Sequence, residues 1–483
     1  MANRCPSCGG TLRFDIKKQK LVCEYCMSEF DAESIAQMGG ATESQAFGQD
    51  EGQADGETMD AKIFTCPNCG AEVFATDLDA VEYCSYCGTF VTLESRLAKL
   101  QKPSYILPFA ITKEKCLELY KEKLKAARFL PKDMSVEKAE SSFRRIYIPY
   151  WTYDLEFDPN NLVSVDTQES WTRGNTEYTQ RYKIQARAEG RMDNLFFDAS
   201  ATLEDRIGED IGNYPLDSLQ PYNSSLMAGS YADVADVSKE TYEDDVYKEG
   251  KDALMDQMRS NLSQNGGRGA SGATVRSASS LSSFKTTQDV RSLGTVSAKL
   301  AMLPVWFMTW KNKDRLCYAV VNGSTGKMFA EIPSDIKKYA LSSIVLAIPI
   351  FILLEFLFTL MPKTLLIATA VLSLIILFCY WRVSDRLKRQ ENRTDDKGYQ
   401  KIYGKQKLAS GGNSFGVGAL FPIISLVVAA GLVYLNPVND LLYYGGTFLC
   451  IAGVFVAIAS MVKAHNLACS RPIPHFFDKK KEA

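Results

Sequence analysis

The chain has 483 residues, with 55 Lys and Arg against 57 Asp and Glu, and a formal net charge of −2. That balance excludes a generally basic, nucleic-acid-coating protein, and the length implies two to four domains. Eight of its thirteen cysteines fall in four CxxC pairs, a pattern that points to metal in a reducing compartment and to disulfides in an oxidising one. No apolar h-region follows the opening Met-Ala-Asn-Arg-Cys-Pro, so no signal peptide is expected.

The pairs form two units, Cys5/Cys8 with Cys23/Cys26 and Cys66/Cys69 with Cys84/Cys87. Each has 14 residues between its pairs, and each opens Cys-Pro-x-Cys-Gly. Strand-like stretches lie between the pairs, at Thr11–Ile16 and Lys20–Val22, and at Glu72–Ala75 and Ala80–Tyr83. Four thiolates converging from two hairpins make a closed tetrahedral zinc site with a structural role. We therefore expect zinc ribbons over 1–30 and 61–96, each holding one zinc ion. A redox CxxC is the rival reading, and matched four-cysteine sets argue against it. Ribbons serve protein and nucleic acid alike. The intervening 31–60 carries eight Asp and Glu with no Lys or Arg. An acidic, disordered tether of that kind repels phosphate backbones.

From 97 to 336 the pattern is that of a cytoplasmic α+β domain with a largely antiparallel sheet. Tyr105–Ile111 reads as a strand, and Thr112 as the N-cap of a helix over Lys113–Arg128. Cys116 lies on that helix's apolar face, where a core role is expected. A short helix follows over Val136–Ser142. Arg145–Phe157 is a long aromatic strand, and Leu162–Thr167, Thr179–Ala188 and Leu195–Thr202 continue the β region. Ser238–Leu262 reads as a charged helix with one apolar stripe. Val296–Trp310, Leu316–Val321 and Lys327–Ile332 are strands, with a hairpin turn at Asn322–Gly326. Ile148-Pro-Tyr-Trp151 and Leu303-Pro-Val-Trp306 look like a duplicated unit; the alternative is two proline-bearing edge strands.

The last third holds four apolar runs, Leu341–Met361, Thr364–Trp381, Val417–Leu435 and Leu442–Val462, of 21, 18, 19 and 21 residues. At about 1.5 Å per residue each spans a hydrocarbon core of about 30 Å. The connection Arg382–Lys407 carries nine Lys and Arg. The two short tips carry only Lys363. The positive-inside rule then puts both termini and the middle connection on the cytoplasmic side. The expectation is a four-helix transmembrane region over 337–465, a cytoplasmic tail over 466–483, and a multi-pass plasma-membrane protein in contact with the lipid bilayer. Glu355 is the ionisable residue well inside a run; a snorkelling role competes with one in ion passage.

Other motifs fail. Gly267–Gly272 fits GxGxxG but lacks a preceding strand. Gly323–Met328 has the wrong spacing for a phosphate loop. The two histidines, His465 and His475, both follow the last run, far from any triad partner. No enzymatic activity is expected.

The order of parts resembles the YdjG-like bacterial membrane proteins, which carry zinc ribbons of the transcription factor IIB type. The matching stretches are the two ribbons, Tyr147-Ile-Pro-Tyr-Trp-Thr-Tyr-Asp154, and Leu303-Pro-Val-Trp306 with Tyr318–Lys327. The second ribbon is a point where the family pattern gives no guide. The resemblance implies a membrane adaptor that recruits an SPFH-domain-like cytosolic protein and works with a phage-shock-protein-A-like envelope stress system. A membrane-tethered nucleic-acid-binding regulator is the alternative class, and a transporter with a sensory head a third.

Overall fold

The computed structural model describes residues 4–35, 57–75, 83–90, 93–158, 160, 162–187, 190–265, 281–286, 291, 294–312, 314–357, 362–404, 412–435 and 439–477. Most of the acidic linker, the Gly267–Gly272 motif and the side chain of Glu355 lie outside these residues.

The first ribbon is a three-stranded antiparallel sheet of β1 (Leu12–Asp15), β2 (Lys20–Cys23) and β3 (Glu29–Phe30). It is too small for a core of its own. Leu12, Phe14 and Leu21 instead share one apolar cluster with Ile63, Phe109 and Tyr147 of the body. Arg145 fixes the join, donating to the Phe14 carbonyl at 2.9 Å and to the Gly229 carbonyl at 3.0 Å. The ribbon therefore packs against the body and does not stand off as a separate head.

The second ribbon is part of the main sheet. Its strands β4 (Thr58–Thr65) and β5 (Glu72–Ala75) pair antiparallel, and β4 also pairs along its length with β6 (Glu94–Gln101). β4 begins at Thr58, inside the stretch expected to be disordered. Through β13 (Tyr231–Asp233) this unit joins β8 (Arg144–Phe157), which pairs along its whole length with β15 (Gly294–Asn312). β7 (Tyr105–Ile106) runs parallel to β15, and β16 (Arg315–Asn322) antiparallel to it. The sheet is mixed and mostly antiparallel. The strand expected over Tyr105–Ile111 shrinks to two residues.

The two proline-bearing motifs lie side by side on β8 and β15, with Met302 opposite Pro149 and Pro304 opposite Tyr147. They occupy the middle of the sheet, so the edge-strand reading is wrong. The reason is a change of partner. β13 pairs with β8 at Ile146 and Tyr147, and β11 (Gly190–Asp198) from Tyr150 onward. Pro149 falls in the gap. β7 pairs with β15 up to Met302, and β16 from Val305. Pro304 falls in that gap. Each missing N–H sits where no ladder acceptor is present. Each proline carbonyl is used, by Ala199 N–H at 3.0 Å and Gly323 N–H at 2.8 Å. The matching arrangement fits the duplicated-unit reading.

Helices α1 (Lys113–Ala126) and α2 (Val136–Ser142) form where expected, with Thr112 and Ser135 capping them. Cys116 is fully buried. α3 (Asp205–Ile211) and α4 (Glu243–Asn265) flank the sheet. β9 (Leu162–Arg173) and β10 (Thr176–Arg187) make a separate hairpin extended by β14 (Leu281–Lys285).

The C-terminal region contains α5 (Ile336–Leu357), α6 (Pro362–Asn392), α7 (Lys397–Tyr403), α8 (Gly412–Leu435) and α9 (Asp440–Ala468). Among the described residues two, Lys363–Asn392 and Asp440–Ala468, are long and apolar enough to cross a membrane. α6, α8 and α9 pack together through Leu366, Ala429, Leu432 and Cys450, and through Ile376, Val454 and Ala457. Gly453 allows close approach, since a Cβ there would stand 3.2 Å from the Ser425 Cβ. Large apolar side chains such as Leu341, Leu346, Phe378, Phe448 and Phe455 remain exposed.

The hairpin turn between β16 and β17 (Met328–Ala330) is set by Asn322. Its side chain is fully buried, donates to the Ile211 carbonyl at 2.9 Å, and accepts from Ser324 and Thr325 N–H. Asn322→Ala leaves that carbonyl and both donors without their partner. We predict a loss of about 1–3 kcal/mol, measurable as a lower urea midpoint for the full chain in detergent; an unchanged midpoint would contradict the assignment.

Candidate metal centres

All four CxxC pairs adopt one turn. In each, the first cysteine's N–H donates to the carbonyl five residues on: Cys5 to Gly10, Cys23 to Ser28, Cys66 to Ala71 and Cys84 to Thr89, at 2.7–3.0 Å. The N–H four residues on returns to that cysteine's carbonyl. The donor of this second bond has positive φ every time: Gly9 at 73°, Met27 at 59°, Gly70 at 78° and Gly88 at 67°. Glycine takes this conformation freely, whereas Met27 holds it at a cost of about 1 kcal/mol.

These turns bring the sulfurs together. Within each group of four, all Sγ atoms lie within 4.8 Å of one another. Cys5–Cys26 and Cys8–Cys23 are 3.5 Å apart, and Cys66–Cys87 and Cys69–Cys84 are 3.7 Å apart. Metal–sulfur bonds of about 2.3 Å in a tetrahedron place the sulfurs about 3.8 Å apart. The residues present thus fit a single ion in each group. The eight cysteines read from the sequence are the ones brought together.

The electrostatics point the same way. Hydrogen bonding with Ser28 draws the Cys26 thiol down to about 6. In the second group, contact with the Cys66 sulfur pushes Cys69 and Cys84 up and pulls Cys87 down. Four sulfurs this close ionise together only around a cation.

The two groups differ in their surroundings. In the first, Cys8 and Cys26 are exposed. Beside them Tyr25 and Met27 are 77% and 72% exposed. In the second, all four cysteines are buried. Tyr86, between Cys84 and Cys87, donates to Asp233 at 2.7 Å, and its own carbonyl accepts from Tyr318 at 2.6 Å. Burial pushes the Asp233 carboxyl up to about 7, although Ser200 and Tyr86 both donate to it.

The C-terminal tail closes over this second group. Phe476 N–H donates to the Cys69 carbonyl at 2.7 Å, and its ring meets that of Tyr86 edge-on. A Cβ on Gly70 would stand 3.0 Å from the Phe476 carbonyl carbon and the Phe477 nitrogen. Gly70 is therefore needed both for its φ and for the tail's approach. The sequence reading missed this contact, because nothing near residue 476 marks a partner some 400 residues away.

The fold and site together define an α+β sheet protein with two four-cysteine groups and an apolar helical C-terminal region. The chain is similar to the uncharacterized protein YdjG of Bacillus subtilis (strain 168). The two are 24% identical over 344 residues, which is 70% of this chain and 91% of that protein. This is a distant homology. No family model matches the chain, and no solved structure matches it.

Replacing Cys66 and Cys69 by Ser should reduce bound metal from two ions per chain to one. It should also lower the melting temperature sharply, since a structural ion contributes on the order of 10 kcal/mol. Replacing Cys8 and Cys26 by Ser should remove one ion and leave the main melting transition nearly in place. Elemental analysis and melting of the full chain check both; two ions retained in either variant would refute that site.

Proposed function

We propose that this protein is a non-enzymatic, membrane-anchored adaptor, and that each four-cysteine group holds one structural zinc ion. The observation that carries the reading is the contrast between the groups. One is sealed inside the sheet beneath the tail, and the other presents exposed Tyr25 and Met27 at the edge of the molecule. Four protein ligands leave no open coordination position, so the ions support shape and not chemistry.

The anchor is the C-terminal helical region, with four helices crossing a bacterial plasma membrane and both termini on the cytoplasmic side. Two features support it. Large apolar side chains face outward along the helices. The basic connection after α6 and the tail after α9 both bind the body: Tyr399 and Tyr403 of α7 join its core, and the tail strand β18 (Arg471–Pro472) pairs with β16. The body therefore lies at one end of the helices.

The exposed face of the first ribbon then recruits a cytosolic protein. The YdjG-like resemblance suggests an SPFH-domain-like partner and a link to a phage-shock-protein-A-like stress system. Nucleic acid is the second reading, and charge disfavours it. Four of the ribbon's five cations already have acidic neighbours: Arg13 with Glu24, Lys17 with Glu114, Lys18 with Glu29 and Lys20 with Asp31, at 2.5–3.7 Å.

The test is capture of the tagged full chain from detergent extract, beside a Tyr25→Ser/Met27→Ser variant. An SPFH-domain-like protein should co-purify with the first and fall at least about tenfold with the second, as for a central aromatic anchor. Equal recovery would remove the ribbon from recognition. A salt-sensitive DNA mobility shift by the full chain would favour the nucleic-acid reading instead.

A further inference from the structure

A cleft of about 660 Å³ lies between α3 and the end of α6 that reaches into the body. That volume is in the range of small-ligand sites. Trp381, 64% exposed, marks the rim toward the apolar part of α6. Arg382 and Arg386 follow one turn apart on the same helix face, and Arg206 of α3 also lines the cleft.

The charges in the cleft sort into two sets. Glu204 is held by Arg471, Asp385 by Arg389, and Asp396 by Arg393. Among the described residues, Arg206, Arg382 and Arg386 form no ion pair; Arg382 stacks over the Phe378 ring. Opposing them are Asp205, Glu209 and Asp395. Burial pushes the Asp205 carboxyl up to about 8, which leaves it mostly uncharged at neutral pH. Three arginines then face two carboxylates, and two of the three sit beside the interfacial tryptophan.

We infer that this cleft binds the phosphate of an anionic phospholipid headgroup from the cytoplasmic leaflet, through Arg206, Arg382 and Arg386. The inference rests on the membrane reading above. Basic pockets at the cytoplasmic ends of membrane helices suit this chemistry, because a phosphate diester supplies fixed charge at the depth of the headgroups. Guanidinium groups match it in geometry as well as in charge. Glu209 and Asp395 leave room for a headgroup that also bears a hydroxyl or an amine. Bound there, a lipid bridges α3 of the body and the α6 extension.

The experiment places the full chain in nanodiscs of phosphatidylglycerol mixed with phosphatidylcholine and reads retained lipid by native mass spectrometry. Wild type should keep phosphatidylglycerol in preference to phosphatidylcholine. R206Q/R382Q/R386Q should lose that preference by at least about tenfold, since each arginine near a charged surface is worth about fivefold. K99Q/K121Q/K125Q, with equal charge loss at residues that do not line the cleft, should keep it. Two zinc ions per chain in each variant show that the fold survives. No preference in wild type, or a preference that survives in the cleft variant, overturns the site. Stabilisation by inorganic phosphate without phosphatidylglycerol retention would assign it to a soluble anion and defeat the lipid proposal. Failure of the wild-type chain to enter nanodiscs at all would instead refute the membrane reading.

Discussion

The Arg471 guanidinium ties together parts of the chain that share no neighbouring sequence. It follows α9, lies in β18 beside β16, and is almost wholly enclosed. Its nitrogens reach Glu331 after β17 and Glu204 before α3, and its face covers the Tyr318 ring with 4.5 Å to the centroid. A buried ion pair is tolerated only when every charge is answered, and loss of one partner costs about 3–5 kcal/mol. Arg315 and Arg393 repeat the device. Arg315 binds Glu391, the Ser470 hydroxyl and the carbonyls of Leu467 and Ser470; Arg393 binds Asp396 and the carbonyls of Ala201 and Leu203. Three guanidinium groups thus join the helices to the sheet through donors fixed in a plane.

This junction explains why two groups of equal local design have unequal surroundings. The CxxC turn is repeated four times with one hydrogen-bond pattern, so the groups match at the level of the knuckle. What differs is what lies on top. From Arg471 the tail runs five residues to Phe476, which caps the Cys69 knuckle. The second group is thereby built into the path from α9 to the central sheet. The first group is joined to the body through the packing of Leu12, Phe14 and Leu21, the Arg145 bridge and the Gln19 side chain, which donates to the Phe109 carbonyl at 2.8 Å, and its tip stays open.

The cysteine ligands were legible in the sequence because the knuckle is local: its bonds span four and five residues, and its glycine marks the positive φ. Helix α1 was legible for the same reason, through Thr112 and the apolar stripe of Cys116, Tyr120 and Leu124. The central prolines were visible but misleading. An absent N–H suggests a sheet edge, and only the full pairing reveals a change of partner at Pro149 and Pro304. The incorporation of the second ribbon into the main sheet was hidden as well. β6 (Glu-Ser-Arg-Leu-Ala-Lys-Leu-Gln) is mostly exposed, so burial imposes little apolar pattern on it. The arginine junction had no signal at all, because Arg471 meets partners 140 and 267 residues away.

A division of labour follows from these mechanics. An ion enclosed in the load path between helices and sheet cannot leave without loosening both, so its exchange is tied to opening of the tail. An ion held by the first group would be bounded by two exposed and two buried cysteines, and its loss would act first on the exposed tip. The two copies of one motif thus differ in enclosure, the second buried and the first open at its tip. Duplication makes this possible: the second copy carries the contact with the C-terminal tail, and the first leaves Tyr25 and Met27 largely exposed. Met27 carries the strained φ that glycine holds in the other three knuckles. A large side chain thus stands where a small one is easier, and it is 72% exposed. A flexible thioether at that position adapts to apolar surfaces, where glycine offers no side chain to do so.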